Sequence, residues 1–310
     1  MNLLVTIDEN YILPFKVMLS SFFSSNPQET DNTIYLLHSA IPADKLADLE
    51  EYCAGFGAEL IALKVPESYF IGAATSTRYP KEMYYRMLAP LILPADLERV
   101  LYLDPDILVL NPLEPLYSLD LQGNAFAAAC HTGVTDVTYE INALRLDISH
   151  DYFNTGVILF DLEKARELVK ADEIFQAVKE HENELILPDQ DIFNILYGEK
   201  TLQVDDTLWN YDARKYTGYL MRSEGEANVR WIMDHTALLH FCGKHKPWNE
   251  EGHTPFNSLY LHYMNLTNRR IALQNSQKQN PTIQTSSPKE EADDKTEEIL
   301  AEGVLEPSAA

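Results

Sequence analysis

Short apolar runs that predict buried strands alternate with segments of helical spacing in the N-terminal part of the chain. The predicted strands are 3–7, 33–38 and 59–65, and the predicted helices between them are 11–24 and 43–53. This alternation is typical of βαβ units, in which strands run parallel and helices cover the sheet. The sequence therefore predicts an α/β fold with a mostly parallel central sheet flanked by helices.

The rest of the chain continues the pattern and then changes composition. Further predicted elements are a helix over 81–93, strands over 100–103, 125–129 and 153–160, one or two helices within 162–182 and a short helix over 191–197. The pattern ends near Tyr263, and the polar, acidic composition beyond it cannot bury enough apolar surface to fold alone. We therefore expect one folded domain over 1–265 and a disordered acidic tail over 266–310.

The acidity of the chain restricts its partners. Its 310 residues carry a formal net charge of −24, which repels nucleic acid and anionic lipid headgroups. The three cysteines, Cys53, Cys130 and Cys242, are odd in number and far apart, which favours reduced thiols. Neither a signal-peptide pattern nor an apolar stretch long enough to span a bilayer is present. We expect a cytoplasmic protein.

A pair of carboxylates, Asp104 and Asp106, follows the predicted strand over 100–103. Residues at i and i+2 share a face of extended chain, so both side chains can reach one cation. Hard oxygen ligands suit a divalent ion that also binds phosphate. Because Asp and Pro are also common in turns, an ordinary turn around Pro105 is the alternative.

A second polar segment begins at His240, where another apolar run ends. Gly243 permits a tight turn over a ligand, and Lys244 and Lys246 bring positive charge that is unusual in so acidic a chain. Phosphate binding explains this pattern, and a packed surface loop with solvated lysines is the alternative. A zinc site is less favoured, because it lacks a second paired-ligand segment. Its ligands would be His240, Cys242 and His245.

Several motifs in order along residues 1–250 resemble glycosyltransferase family 8. This retaining group contains bacterial lipopolysaccharide galactosyl- and glucosyltransferases and, more distantly, glycogenin. The matching motifs are Asp8-Glu-Asn-Tyr11, Tyr84-Tyr-Arg86, Leu101-Tyr-Leu-Asp-Pro-Asp106, Phe153-Asn-Thr-Gly156, Pro188-Asp-Gln-Asp191 and His240-x-x-Gly-x-x-Lys-Pro-Trp248. The resemblance implies a GT-A type nucleotide-diphosphosugar transferase fold, with the catalytic domain in 1–265.

The resemblance also implies a metal cofactor. Asp104, Asp106 and His240 would bind Mn²⁺, with Mg²⁺ as a substitute, and the ion would neutralise charge on the departing UDP. Gly243 and Lys246 would contact the same diphosphate of a UDP-glucose or UDP-galactose donor.

Three residues after the first strand match positions that hold the nucleotide. Asp8 and Asn10 would contact the uracil and ribose, and Tyr11 would stack on the base. A helix start is the alternative for Asp8 and Asn10, because both are good N-cap residues.

The sugar of the donor is expected to contact Arg86, Asn154 and Asp189 in the family pattern. Arg86 lies in an otherwise apolar helix and must reach either water or an anion. Capping is the alternative for Asn154 and Asp189.

Gln190 occupies the position of the nucleophile of a double displacement. An amide is a poor nucleophile, so front-face substitution with Gln190 stabilising positive charge is at least equally favoured.

The sequence does not determine the identity of the general base or of the acceptor. A phosphate oxygen of UDP would deprotonate the acceptor hydroxyl, and Asp191 is either a base or a helix cap. Cys130-His-Thr132 stands where many relatives carry an acidic residue that holds a sugar hydroxyl, so the donor is glucose, galactose or another hexose. The acceptor would be a bacterial cell-surface glycan, lipid-linked or protein-linked, with peripheral membrane contact arising through the acceptor.

Three other functions are compatible with the same motifs. One is a non-catalytic nucleotide-sugar-binding partner, and another is a metal-dependent UDP-sugar hydrolase. The third is self-glucosylation, for which 17 tyrosines are available but none in the tail.

Overall fold

The computed structural model describes residues 1–70, 81–131, 137–249 and 254–279. The strands are β1 Asn2–Thr6, β2 Thr33–His38, β3 Glu59–Lys64, β4 Arg99–Leu103, β5 Ile107–Val109, β6 Phe126–Ala129, β7 Val157–Asp161, β8 Thr201–Val204, β9 Tyr211–Asp212 and β10 Leu238–His240. The helices are α1 Ile12–Ser25, α2 Ala43–Ala54, α3 Tyr85–Ile92, α4 Glu114–Tyr117, α5 Val137–Leu146, α6 Leu162–Leu168, α7 Ala171–Glu180, α8 Pro188–Tyr197, α9 Asp206–Trp209, α10 Tyr216–Arg222, α11 Val229–His235 and α12 Asn257–Gln279.

A seven-stranded sheet in the order β3-β2-β1-β4-β7-β6-β8 forms the centre of the fold. All neighbouring pairs are parallel except β4 with β7 and β7 with β6, so β7 runs against the other described strands of this sheet. The prediction of an α/β fold with a mostly parallel sheet is therefore confirmed. In such sheets ligands bind beyond the carboxyl ends of the strands, where β1 and β4 of this chain both end.

Alternating side chains of the central strands pack into two cores. Leu4 and Tyr102 contribute to the core that includes α3, α6, α7 and α8. Leu3 and Leu101 contribute to the opposite core, with α1 and α2. Because successive residues of a strand point to opposite faces, an apolar strand buried on both sides forms naturally between two helical layers.

A small second sheet in the order β5-β10-β9 adjoins the first along the chain. Only Asp104-Pro105-Asp106 separates the end of β4 from the start of β5. The antiparallel pairing of β10 with β5 places His240 opposite Ile107. This pairing brings His240 to the two aspartates, although His240 is distant from both in sequence.

The largest difference from the predicted elements is at the C-terminal end. The sequence pattern ends near Tyr263 and predicts a domain boundary at 265, whereas α12 continues to Gln279. Thr267 is fully buried, and its hydroxyl lies 2.8 Å from the Ser20 hydroxyl of α1. The chain divides into two units, Met1–Ile271 and Ala272–Ala310. The predicted tail from residue 280 onward lies outside the described residues.

The predicted strand over 153–160 begins later, at Val157. The Asn154 side chain accepts a hydrogen bond from the backbone N–H of Gly156 at 3.0 Å, so these residues form a turn before β7. In the part of the chain that the structure describes, no helix is long and apolar enough to cross a membrane.

The buried central strands predict a matched pair of stability effects. Leu159 in β7 is fully buried, and Leu144 in α5 is 84% exposed. We expect Leu159→Ala to lower the free energy of unfolding by about 2–5 kcal/mol, through lost burial and a residual cavity. Leu144→Ala should change it by less than about 0.5 kcal/mol. Urea denaturation followed by circular dichroism measures both, and equal effects would contradict the described core.

Candidate active site

Asp104, Asp106 and His240 meet where the two sheets adjoin. One ligand atom from each lies within 4.8 Å of the others. Nε2 of His240 is 3.2 Å from Oδ1 of Asp106 and 3.8 Å from Oδ2 of Asp104. Two carboxylates and an imidazole that converge in this way are a donor set for a divalent ion such as Mn²⁺.

A glycine at position 156 makes this convergence possible. A Cβ on Gly156 would lie 2.3 Å from Cε1 of His240 and 2.8 Å from Oδ2 of Asp104. Any other residue at position 156 would therefore push the imidazole and the carboxylate apart. The Asn-Thr-Gly turn thus contributes space to the cluster as well as hydrogen bonds.

Each of the two carboxylates contacts a part-buried cationic side chain. Lys246 forms an ion pair with Asp106, and Arg86 lies 3.0 Å from Oδ1 of Asp104. Burial alone would raise the pKa of the Asp106 carboxyl, but His240 and Lys246 hold it well below its usual range. The site therefore keeps Asp106 ionised, as a metal ligand must be.

Arg86 connects the metal-ligand side to the predicted sugar side. Its Nε lies 3.6 Å from Oδ2 of Asp189, and its Nη1 donates to the Thr155 carbonyl at 2.8 Å. Its guanidinium also lies over the Tyr102 ring, 4.7 Å from the centroid. Burial raises the pKa of the Asp189 carboxyl, and the Arg86 charge opposes that shift. Of the two alternatives for Arg86, an anion partner is the one observed.

Side-chain amides join His240 to Gln190. Nδ1 of His240 lies 2.9 Å from Oδ1 of Asn210, and Nδ2 of Asn210 donates to Oδ1 of Asn154 at 2.8 Å. Nδ2 of Asn154 then donates to Oε1 of Gln190 at 3.0 Å. Asn154 and Gln190 therefore belong to one hydrogen-bonded system with a predicted metal ligand.

Two of the three predicted nucleotide residues, Asp8 and Tyr11, line one cleft, and Asn10 is not among the described lining residues. The lining of this cleft also includes Arg86, Asp106 and Lys246. Asp8 also caps the short helix Glu9–Tyr11 by accepting the Asn10 backbone N–H at 2.8 Å, so the capping interpretation holds alongside the cleft position. The Tyr11 ring meets the Trp248 ring edge to face, with centroids 6.0 Å apart.

Gly243 adopts a positive φ of 85°, as predicted for a tight turn. A Cβ there would lie 2.5 Å from Nη1 of Arg214. The positive φ and the short distance to Arg214 both favour glycine at position 243. The sequence did not indicate Arg214 as a neighbour of this loop.

The three residues of the less favoured zinc site, His240, Cys242 and His245, do not form one metal-ligand cluster within the described residues. Within the described residues Cys242 clusters with His131 and Asp212, and His245 is not part of that group. Asp212 is fully buried and already binds Arg214 through both carboxylate oxygens. The guanidinium thus supplies the positive charge there, which disfavours a second metal ion.

Asp191 has a structural role. Its carboxylate is fully buried and accepts from both terminal nitrogens of Arg145 at 2.8 and 3.0 Å. It also accepts the Tyr152 hydroxyl and two backbone N–H groups, those of Ile186 and Leu187. These donors leave it no free oxygen for an acceptor hydroxyl, which corrects the interpretation of Asp191 as a base.

Two site residues escaped the sequence analysis. The Tyr102 hydroxyl donates to Oδ1 of Asp104 at 2.5 Å, and the i, i+2 spacing of these two residues is a signal that could have identified it. Asn210 is fully buried between α9 and β9, and no pattern in its local sequence marks it.

Comparison with known proteins gives the family of this chain. The model of "Glycosyl transferase family 8" matches residues 2–252. General stress protein A of Bacillus subtilis is 28% identical over 274 residues, covering 86% of this chain and 94% of that protein. A lipopolysaccharide 1,2-glucosyltransferase of Escherichia coli is 25% identical over 255 residues, covering 79% of this chain and 72% of that enzyme.

Solved structures share the fold. The galactosyltransferase LgtC, in complex with donor and acceptor sugar analogs, aligns with a TM-score of 0.71 and 22% identity over 86% of this chain and 96% of that one. The glycosyltransferase GlyE of Streptococcus pneumoniae aligns with a TM-score of 0.63 over 89% of this chain and 63% of that one. The predicted GT-A type fold is confirmed. Since the family model covers most of its length, the chain belongs to glycosyl transferase family 8.

Proposed function

We propose that this protein is a Mn²⁺-dependent retaining hexosyltransferase that moves glucose or galactose from a UDP-sugar to a hydroxyl of a bacterial cell-surface glycan, on the cytoplasmic side of the membrane. The observation that carries the proposal is the convergence of Asp104, Asp106 and His240 beside the cleft. Relatives named as lipopolysaccharide glucosyl- and galactosyltransferases support the class of donor and acceptor.

The donor set fits the proposed ion. Two carboxylates and one imidazole suit Mn²⁺, with Mg²⁺ as a weaker substitute, and leave positions for phosphate oxygens. The Gly156 contact distances give the cluster room that any other residue would fill. When bound, the ion would supply charge neutralisation for the departing diphosphate. Asp104, Asp106 and His240 would hold it.

Different residues of the protein would bind the uridine, the diphosphate and the hexose of the donor. Asp8, Asn10 and Tyr11 would bind the uridine, while Gly243 and Lys246 contact the diphosphate. Lys246 is part-buried and forms an ion pair with Asp106, so its charge is positioned before substrate binds. Arg86, Asn154 and Asp189 would orient the hexose.

The proposed reaction breaks the bond between the anomeric carbon and a UDP oxygen. The acceptor oxygen forms the new bond on the same face, and its proton passes to a phosphate oxygen of UDP. Gln190 would stabilise the positive charge at the anomeric carbon with its amide oxygen. The saturated carboxylate of Asp191 favours this route over a base from that residue.

Calorimetric titration of UDP into the full-length protein, with Mn²⁺ and then with EDTA, tests the proposal. We expect Mn²⁺-dependent binding in the micromolar range, near −8 kcal/mol. UDP-glucose and UDP-galactose are then assayed with candidate glycan acceptors. Absence of UDP binding under both conditions would overturn the proposal, and release of free hexose regardless of acceptor would indicate a hydrolase.

Removing one carboxylate should remove the metal. We expect Asp106→Ala, and the gentler Asp106→Asn, to lower Mn²⁺-dependent turnover by on the order of 100-fold or more. Asp206→Asn is the matched control, because Asp206 is also buried and ion-paired, with Arg222 at 3.1 Å, but does not line the described cleft. Undiminished turnover in both Asp106 variants would contradict the metal role.

The two lysines of one loop should differ in their effect on UDP. Lys246 is part-buried against Asp106, whereas Lys244 is exposed. Lys246→Ala should weaken UDP binding about tenfold to a hundredfold, because a hydrogen bond to a charged group contributes about 1.5–3 kcal/mol. Lys244→Ala should leave the affinity nearly unchanged. Calorimetry with UDP and Mn²⁺ checks both, and equal affinities would exclude the diphosphate role of Lys246.

A further inference from the structure

We propose that Asn210 is a positioning residue within one directed chain of hydrogen bonds that runs from His240 through Asn154 to Gln190. At one end the chain aims the imidazole at Asp104 and Asp106, and at the other it sets the orientation of the Gln190 amide. The inference rests on the proposed function, because it assigns Asn210 a task in that same site.

The direction of the chain follows from a donor that cannot change roles. The backbone N–H of Gly156 donates to Oδ1 of Asn154 at 3.0 Å, so that atom must be the carbonyl oxygen of the amide. The other partner of this oxygen, on Asn210 at 2.8 Å, must then be the NH₂ group. The carbonyl oxygen of Asn210 consequently faces His240.

This orientation determines which nitrogen of His240 carries the proton. Oδ1 of Asn210 only accepts, so Nδ1 of His240 at 2.9 Å must donate. Nε2 is then the atom that faces Asp106 at 3.2 Å, free to act as a metal ligand. Such a partner on the far ring nitrogen orients an imidazole ligand and typically changes metal affinity 10- to 100-fold when lost.

The same logic orients Gln190. Asn154 presents its NH₂ group to Gln190, so the amide oxygen of Gln190 lies on that side, at 3.0 Å. The backbone N–H of Gly156 therefore determines the orientation of both amides through Asn154. Asn210 donates to the same oxygen of Asn154 and so helps to hold that amide in place.

The burial of Asn210 makes its two contacts costly to replace. It is fully buried, and water cannot substitute freely for a lost partner there. Asn210→Leu removes both contacts with little change in volume. Asn210→Asp keeps the acceptor for Nδ1 of His240 but removes the donor to Asn154.

The two variants separate a positioning role from simple packing. Mn²⁺ alone is titrated into the full-length protein, and free Mn²⁺ is measured by electron paramagnetic resonance. We expect Asn210→Leu to weaken Mn²⁺ binding about 10- to 100-fold. Asn210→Asp should bind Mn²⁺ at least as tightly as wild type, because a carboxylate partner raises the basicity of a histidine ligand. Its kcat should still fall about 10- to 100-fold, because Asn154, which holds the Gln190 amide, loses the donor on Asn210.

Asn26→Leu is the matched control for the apolar substitution. Asn26 is buried and also uses both ends of its amide, accepting from the Leu113 N–H at 2.8 Å and donating to the Phe22 carbonyl at 2.9 Å. It should lower the melting temperature but leave Mn²⁺ affinity at the wild-type value.

The outcomes distinguish this inference from the proposed function. Failure of wild-type protein to bind Mn²⁺ would overturn the proposed function. If wild type binds but Asn210→Leu binds as tightly, or Asn210→Asp is weakened just as much as Asn210→Leu, the positioning role is refuted. If Asn210→Leu does not fold, Asn210→Asp decides, since wild-type kcat in that variant would refute the link to Gln190.

Discussion

The close approach of Gly156 to Asp104 and His240 is the constraint on which the site depends. Antiparallel pairing of β4 and β7 brings the Gly156 carbonyl to the Asp104 N–H, at 2.8 Å. Only a residue without Cβ fits there, since the added atom would lie 2.3 Å from the imidazole. The turn that leads into β7, the antiparallel strand of the large sheet, therefore provides the space that the His240 imidazole occupies.

The chain as a whole is strongly acidic, but its candidate active site contains cationic side chains. The chain has a formal net charge of −24, yet Arg86 and Lys246 are buried against the two carboxylates. A diphosphate approaching the acidic surface would be repelled at long range. Binding in the cleft would depend on short-range contacts with these two cations and on the proposed metal ion, and this dependence would make the site selective for ligands that bind a divalent cation.

The sequence predicted the parts of the site that depend on local pattern. Asp104 and Asp106 follow an apolar strand, and His240 ends another, so the apolar runs alone were enough to place both segments at strand ends. Their convergence depends on the pairing of β10 with β5, which no local pattern encodes. Asn210 was missed because its two contacts are both long-range. The extent of α12 was missed because its polar composition hides the buried Thr267.

The Asp-Pro-Asp segment is also the junction between the two sheets. Asp104 follows β4 of the large sheet, Asp106 precedes β5 of the small one, and His240 belongs to the small one. An ion held by all three would tie the sheets together, and ligands that bind only the native arrangement stabilise it by mass action. Cation availability would thus affect how cooperatively the small sheet and the large sheet unfold, and the proposed cofactor would stabilise the contact between the two sheets as well as take part in the reaction.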